Sequence, residues 1–468
     1  MAFAIRTWPR RLIARPWLLG FVPINAATSG FGVVLPLLIL ITLHGSWADV
    51  AVAATVYNSS VILMSVVWGH LSDVYRHRRT FLVVNFGGYA ALYGLLSQVH
   101  TLPELFAIYL VIGALAPAGA SASNLLILEK FTEQERPNAF ASFQEMSMLG
   151  SLAGLLIGYF WTLRSDALLT LLFVLAGLAL ASAVALWFGI KEAPRQLTTA
   201  SVAHHPESLF SRLRAFSELR VPIPFFPHRP RIARDPIGRF RRWAREELRH
   251  ELPLIFIASF LFNLSANLFN ISYTPFLYSA GLTAASIFLV NLSNNFAQTL
   301  VFPLTGGLAN RLGPDRLVQH ASYLRSIGYL ATAGLTFVVF ARGGAFSADL
   351  AIYALLGGAI AVYTTASSLM LFRGLQGRDA GSLLGLNSAL GGVAAVAGAG
   401  LSGFLAIYGS YRLVFLVSGG ALLVSLPLWT AASIAYARRR YAPSAPLPPT
   451  GARPALGRVD AGSAAKSP

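Results

Sequence analysis

Twelve long apolar runs separated by polar segments dominate the sequence, and each is long enough to cross a bilayer as a helix. Crossing ~30 Å of hydrocarbon takes about 20 mostly apolar residues. The runs fall at 17–43, 48–70, 80–99, 103–128, 138–161, 167–190, 252–278, 283–308, 317–341, 347–372, 380–408 and 411–437. Helices alone fit them, because each backbone amide in lipid needs a partner inside its own segment. The period-two alternation of a membrane barrel is missing. Composition agrees: 12% of residues are charged, against roughly 25% in soluble domains. That is too little charge to cover a water-soluble protein of this length. The basic start (Arg6, Arg10, Arg11, Arg15) resembles a signal peptide. The apolar run behind it is too long for one and reads as the first span.

A formal net charge of +17 invites a nucleic-acid partner, but the positions of the charges argue against it. They sit between the runs and form no single solvated face. An even number of spans puts both termini on one side, and the basic residues choose the cytoplasm. With the termini inside, only Arg164, Arg342 and Arg412 fall outside and only Arg325 lies within a span. This is the positive-inside pattern, and the basic inner surface suits anionic lipid head groups. The expected setting is the plasma membrane. The absence of cysteine removes disulfides, thiolate metal sites and cysteine nucleophiles.

The expected organisation is an N-terminal six-helix bundle (1–190), a basic cytoplasmic linker (191–249), a C-terminal six-helix bundle (250–440) and a disordered tail (441–468). The linker is rich in proline (Pro222, Pro224, Pro227, Pro230, Pro236). Its stretches Leu209–Leu219 and Phe240–Leu248 read either as short amphipathic helices on the inner leaflet or as solvated chain.

Three anchors recur at an offset of roughly 240 residues, the mark of an internal repeat. Gly69-His70-Leu71-Ser72-Asp73, followed by Arg79, is echoed by Gly306-Gly307-Leu308-Ala309-Asn310 and Arg316. Pro36 in span one matches Pro275 in span seven, and Ser147-Met148-Leu149-Gly150 matches Ser388-Ala389-Leu390-Gly391. The segment Gly69-x-x-Ser72-Asp73-x-x-Arg76-His77-Arg78-Arg79 lies between spans two and three, with its degenerate copy between eight and nine. In this the chain resembles the major facilitator superfamily over all but the tail and linker. The resemblance implies an all-α membrane protein of twelve helices in two bundles related by a pseudo-twofold axis along the membrane normal. The bundles would rock around a site near mid-membrane. It further implies that every third helix is peripheral and the others line the cavity. The signature aspartate, Asp73, would meet the N-terminus of span eleven, where the helix dipole is positive. Gly69, Asp73, Arg76, Arg79 and Glu129, with Gly306, Asn310 and Arg316 in the copy, form the expected inner gate.

Polar residues in the spans point to the cavity. Asn291, Asn294, Asn295 and Gln298 are spaced i, i+3, i+4 and i+7, so they share one face of span eight. Four amides turned to lipid without partners would be very costly. Asn263, Asn267 and Asn270 repeat the pattern on span seven, and Asn25 and Asn58 lie on spans one and two among hydroxyl residues. Hydrogen bonding from helix to helix is the alternative use of such amides. Two ionisable residues lie well inside spans. Glu145 is a candidate for proton coupling, or a side chain that snorkels to the inner surface. Arg325, on a span expected to be peripheral, is expected to have a structural partner or to snorkel.

Drug antiporters of the family carry an arginine in span four and a glycine-proline pair in span five. Neither is present here, where Leu155 follows Gly154. Without a phosphate-cradling Lys-Ser or Lys-Thr loop, or His-Glu-x-x-His, ATP-driven transport and membrane-enzyme chemistry lack support. The expectation is therefore a monomeric secondary transporter, with no cofactor, metal or nucleic-acid partner. It would move a small neutral, zwitterionic or amphipathic solute by alternating access, coupled to protons. A multidrug/proton antiporter-type exporter and a solute sensor without transport are the alternatives.

Overall fold

A computed structural model describes residues 16–75, 77–131, 135–165, 167–190, 251–339, 346–374 and 380–441. The central linker 191–249 and the tail beyond 441 lie outside them. The described residues form twelve long helices. In the first half these are α1 (Phe21–Leu37), α2 (Trp47–Tyr75), α3 (Arg78–Leu96), α4 (Leu102–Lys130), α5 (Arg136–Arg164) and α6 (Leu168–Gly189). The second half supplies α7 (Glu251–Ser279), α8 (Ala284–Leu312), α9 (Pro314–Val339), α10 (Phe346–Gly374), α11 (Ala380–Tyr408) and α12 (Tyr411–Tyr441).

Local chemistry sets many of the helix ends. Glu104 reaches back from the first turn of α4 to accept the backbone N–H groups of His100 and Thr101, satisfying donors that a helix start leaves open. The Thr283 hydroxyl accepts the Ser286 N–H at the start of α8. Gly281 and Gly313 have φ of 84° and 81°, a left-handed backbone that favours glycine. They turn the chain from α7 into α8 and from α8 into α9. Pro36 withdraws a donor from the ladder of α1, and just past it Leu38–Thr42 take a wider π-helical turn.

Among the described residues nine helices are long and apolar enough, by length and composition, to cross a membrane. The other three, α3, α8 and α9, carry more polarity. Asn85 lies on α3, the amide stripe on α8, and Gln319, His320 and Arg325 on α9. That polarity is turned inward where it is buried. Asn85 donates to the Leu115 carbonyl of α4 at 2.6 Å, and Arg325 and Ser326 of α9 are buried.

Which helices touch follows one pattern twice. In the first half α1 packs on α5 and α6, α2 on α4, and α3 on α4 and α6. In the second, α7 packs on α11 and α12, α8 on α10, and α9 on α10 and α12. Across the halves the extensive contacts are α2 with α11 and α5 with α8, again a reciprocal pair. Rings repeat as well. Phe31 stacks on Tyr93 with centroids 4.4 Å apart, and Phe269 stacks on Tyr329 at 3.9 Å.

Close approach of helices depends on small residues, as packing in lipid favours. A Cβ on Gly154 of α5 would collide with the Ala26 carbonyl of α1, and one on Gly398 of α11 would come within 2.8 Å of the Leu264 carbonyl of α7. At the crossing between halves, Gly158 of α5 lies against the Phe288 ring of α8. Gly154→Val should lower the thermal unfolding midpoint and the yield of folded protein, at an overpacking cost of about 1–3 kcal/mol. Gly177→Ala, where the added carbon meets nothing within 4 Å, should leave both unchanged in the same melting assay.

Candidate functional site

The amide stripe of α7 and part of that on α8 open onto one cavity of about 310 Å³. Asn263, Asn267 and Asn270 contribute from α7, Asn294 and Gln298 from α8, and Tyr353 from α10. Phe262 and the aliphatic Leu356 and Ile360 complete its apolar wall. The volume lies at the small end of solute pockets. On α7 the i, i+4, i+7 spacing sets three amides above one another on the inward face. Asn263 and Asn267 donate their NH₂ groups to the carbonyls of Ser259 and Asn263, each at 2.8 Å. Those bonds hold the side chains along the helix, and each amide keeps an oxygen able to accept from a solute.

The four amides of α8 do not act together. Asn294 lines the cavity and also donates to the Tyr353 carbonyl of α10 at 2.9 Å, so it ties the two helices. Gly357 makes this approach possible, since a Cβ there would strike the Asn294 carbonyl. Gln298 lines the cavity. Asn291 and Asn295 lie outside its lining and donate to their own helix, to the carbonyls of Ile287 and Asn291. Asn25 and Asn58 also bond back one turn, to the carbonyls of Phe21 and Ala54.

Arg325 has a structural partner, the first of the two uses expected of it, and does not snorkel. It is 5% exposed and lines the cavity. Its Nε donates to the Tyr329 hydroxyl at 2.5 Å, and its guanidinium carbon lies 5.2 Å from the Phe262 ring centre. A span's rank in the repeat says which helix is peripheral, but not which way one residue of it faces. Asp349 stands in the first turn of α10, a position that in sequence reads as a solvated helix start. It is 1% exposed; one oxygen accepts the Tyr273 hydroxyl at 3.5 Å, and the other has no partner among the described residues. Tyr273 stacks on Tyr353, 4.3 Å between centroids, which links this carboxylate to the cavity wall. Burial of a carboxylate at the start of an apolar run was the available signal.

Of the gate residues, Arg79 lies over the Trp187 ring, 3.8 Å from its centre, and joins the start of α3 to the end of α6. Gly306, Asn310 and Arg316 are exposed around the end of α8. Arg76 lies outside the described residues, as do the side-chain placements of Gly69, Asp73 and Glu129. Glu145 on α5 is half-buried and does not line the cavity.

Long apolar helices around a solute-sized polar chamber define a multi-pass membrane protein built to handle a small molecule. The chain belongs to the major facilitator superfamily of transporters: the profile of the Major Facilitator Superfamily matches residues 17–371. None of the curated proteins matches the sequence. Among solved structures, the nucleoside transporter NupG is similar with a TM-score of 0.63 and 13% identity, over 89% of this chain and 98% of its own. An auto-inhibited POT family peptide transporter is similar with a TM-score of 0.63 and 14% identity, over 91% of this chain and 96% of that one. At such identities the likeness speaks for the fold.

Two substitutions separate tying from lining. Asn294→Ala removes the bond to α10 and should lower stability by about 0.6–1.7 kcal/mol, read as a lower melting midpoint. Asn267→Ala removes a bond within its own helix and should leave the midpoint nearly unchanged while weakening solute binding by about tenfold, the loss of roughly 1 kcal/mol or slightly more of hydrogen bonding.

Proposed function

We propose that the protein is a proton-coupled secondary active transporter. It moves a small polar organic solute, neutral, zwitterionic or amphipathic, across the plasma membrane by alternating access. In this reading all twelve helices cross the bilayer, in two six-helix bundles with both termini cytoplasmic. The observation that carries it is the amide-lined cavity between α7, α8, α9 and α10. A cavity that offers several fixed amides suits solutes with hydroxyl, amide or carbonyl groups.

The doubled packing pattern supports two rocking bodies, since α2–α11 and α5–α8 are the extensive contacts between the halves. On the face away from the chain's start, Trp47 of α2 stacks on Tyr411 of α12, centroids 4.2 Å apart, and donates to the Ser402 hydroxyl of α11 at 3.3 Å. Ser402 in turn shares a hydrogen bond with Ser272 of α7 at 2.8 Å. These contacts hold that face closed. Further along the same two helices, Leu63 of α2 is 71% exposed and Val393 of α11 is 50% exposed. Beside them Gly392 of α11 lies close to Ile62 of α2, so the two helices stay in contact along this stretch. The neighbours of similar fold carry nucleosides and peptides, and solutes of that polarity are the first to test.

Coupling to protons requires a carboxylate that gains and loses a proton during the cycle. Asp349, buried and half-partnered, is better placed beside the cavity than Glu145. Reconstitution into proteoliposomes tests the reading. An inward or outward pH gradient should drive accumulation of at least one polar solute, and its collapse should stop it. Asp349→Asn should abolish gradient-driven accumulation and spare solute counterflow. If Glu145→Gln uncouples and Asp349→Asn does not, the proton rides on Glu145. If no solute moves under any gradient, the transport reading fails.

A further inference from the structure

We infer that the cavity takes a solute bearing one carboxylate, and that Arg325 is the residue that binds it. The inference rests on the transporter reading for the cavity being a substrate site, and it narrows the solute class to monoanions and zwitterions.

The argument starts from the cost of the charge. A guanidinium stays protonated at any pH the protein meets, so burial cannot neutralise it. Taken out of water, it needs a counter-charge and partners for its five N–H donors. Arg325 is 5% exposed. Among the described residues it forms no ion pair, and its one hydrogen bond runs from Nε to Tyr329. The faces of Phe262 and Tyr329, at 5.2 and 5.3 Å, give partial compensation. The forked Nη groups remain without a hydrogen-bond acceptor. Asp349 does not serve them; its own bond goes to Tyr273 and its second oxygen is unpartnered.

The repeat makes the charge more telling. In the first half, α3 carries Tyr89 one turn before Tyr93, and Tyr93 stacks on Phe31. In the second half, α9 carries Arg325 one turn before Tyr329, and Tyr329 stacks on Phe269. A neutral ring therefore fills the corresponding place in the other half of the same chain. Packing of the helices does not require a cation there. What the second half has in addition is the cavity, with Arg325 in its lining.

The surroundings select the anion. A carboxylate matches the planar fork of a guanidinium with two parallel hydrogen bonds. The amides of Asn263, Asn267 and Gln298 can serve the remaining polar groups of the solute without adding charge. Among the described residues no second cation lines the cavity, so one anionic group is balanced and a second would not be. An apolar or aromatic portion would meet Phe262, Leu356 and Ile360.

Benzoate and benzamide test this, being alike in shape and different in charge. The full-length protein in lipid nanodiscs is titrated with each at constant ionic strength, and the unfolding midpoint is followed by light scattering. Benzoate should raise the midpoint saturably by a few degrees, as a ligand of the folded state does, and benzamide should not. Arg325→Met should lose the benzoate response, whereas Arg438→Met at the exposed end of α12 should keep it. If Arg325→Met does not fold, Arg325→Lys decides: it should need at least fivefold more benzoate for the same shift. An equal response to both compounds, none to benzoate, or a full benzoate response in Arg325→Met or Arg325→Lys would overturn the assignment. Failure of flux in proteoliposomes with the benzoate response intact sinks the transport reading and leaves the anion site standing.

Discussion

Hydrocarbon offers no hydrogen bonds, so every polar group inside a membrane helix must be answered by the protein or by water in a cavity. The twelve helices meet this demand in three ways. Hydroxyls and several amides bond back to the carbonyl one turn earlier, as Thr28, Asn58 and Asn263 do. Others cross to a neighbour, as Ser60 does to Leu110, Ser265 to Ser418 and Ser326 to Gly419. The third group, on α7 and α8 with Arg325, gathers at a cavity. The third arrangement gathers several amide oxygens and the guanidinium around one volume, where a solute can meet them together.

The packing pattern is doubled as well. Each half ties its own helices by the same set of contacts, and the halves meet chiefly through α2–α11 and α5–α8. Those seams are lined by small residues: Gly403 lies near Ala51, Gly392 near Ile62, and Gly158 against Phe288. The small residues let these helices approach closely. Aromatic groups pack in both halves, Phe31 with Tyr93 and Tyr109 in one and Phe269 with Tyr329 and Tyr273 in the other.

Much of this was legible in the sequence because lipid imposes strong rules. Length and hydropathy located the helices to within a few residues, although α2 runs on to Tyr75. The stripe Asn263, Asn267, Asn270 announced its face by helical period alone. Where reading helix by helix failed, the missing information was rotational or tertiary. The stripe on α8 is one face by spacing, yet Asn294 and Gln298 reach the cavity and Asn291 and Asn295 do not. Arg325 was assigned by its helix's rank, not by its own direction. Asp349 stood too near a helix start to look buried. The correspondence of Tyr93 and Tyr329 lies in the rings they stack on, Phe31 and Phe269, which spacing along one helix does not encode.

The central claim is that the α7 amide face lies in a watery chamber within the membrane. A chain free of cysteine makes a direct measurement available, because any introduced thiol is the only one. Asn267→Cys and, on the apolar outer surface of α6, Leu180→Cys (54% exposed) are each treated in membranes with a water-soluble maleimide. The account predicts rapid modification at position 267, slowed by bound solute, and almost none at 180, where no water ionises the thiol. Equal inertness at both positions would contradict it.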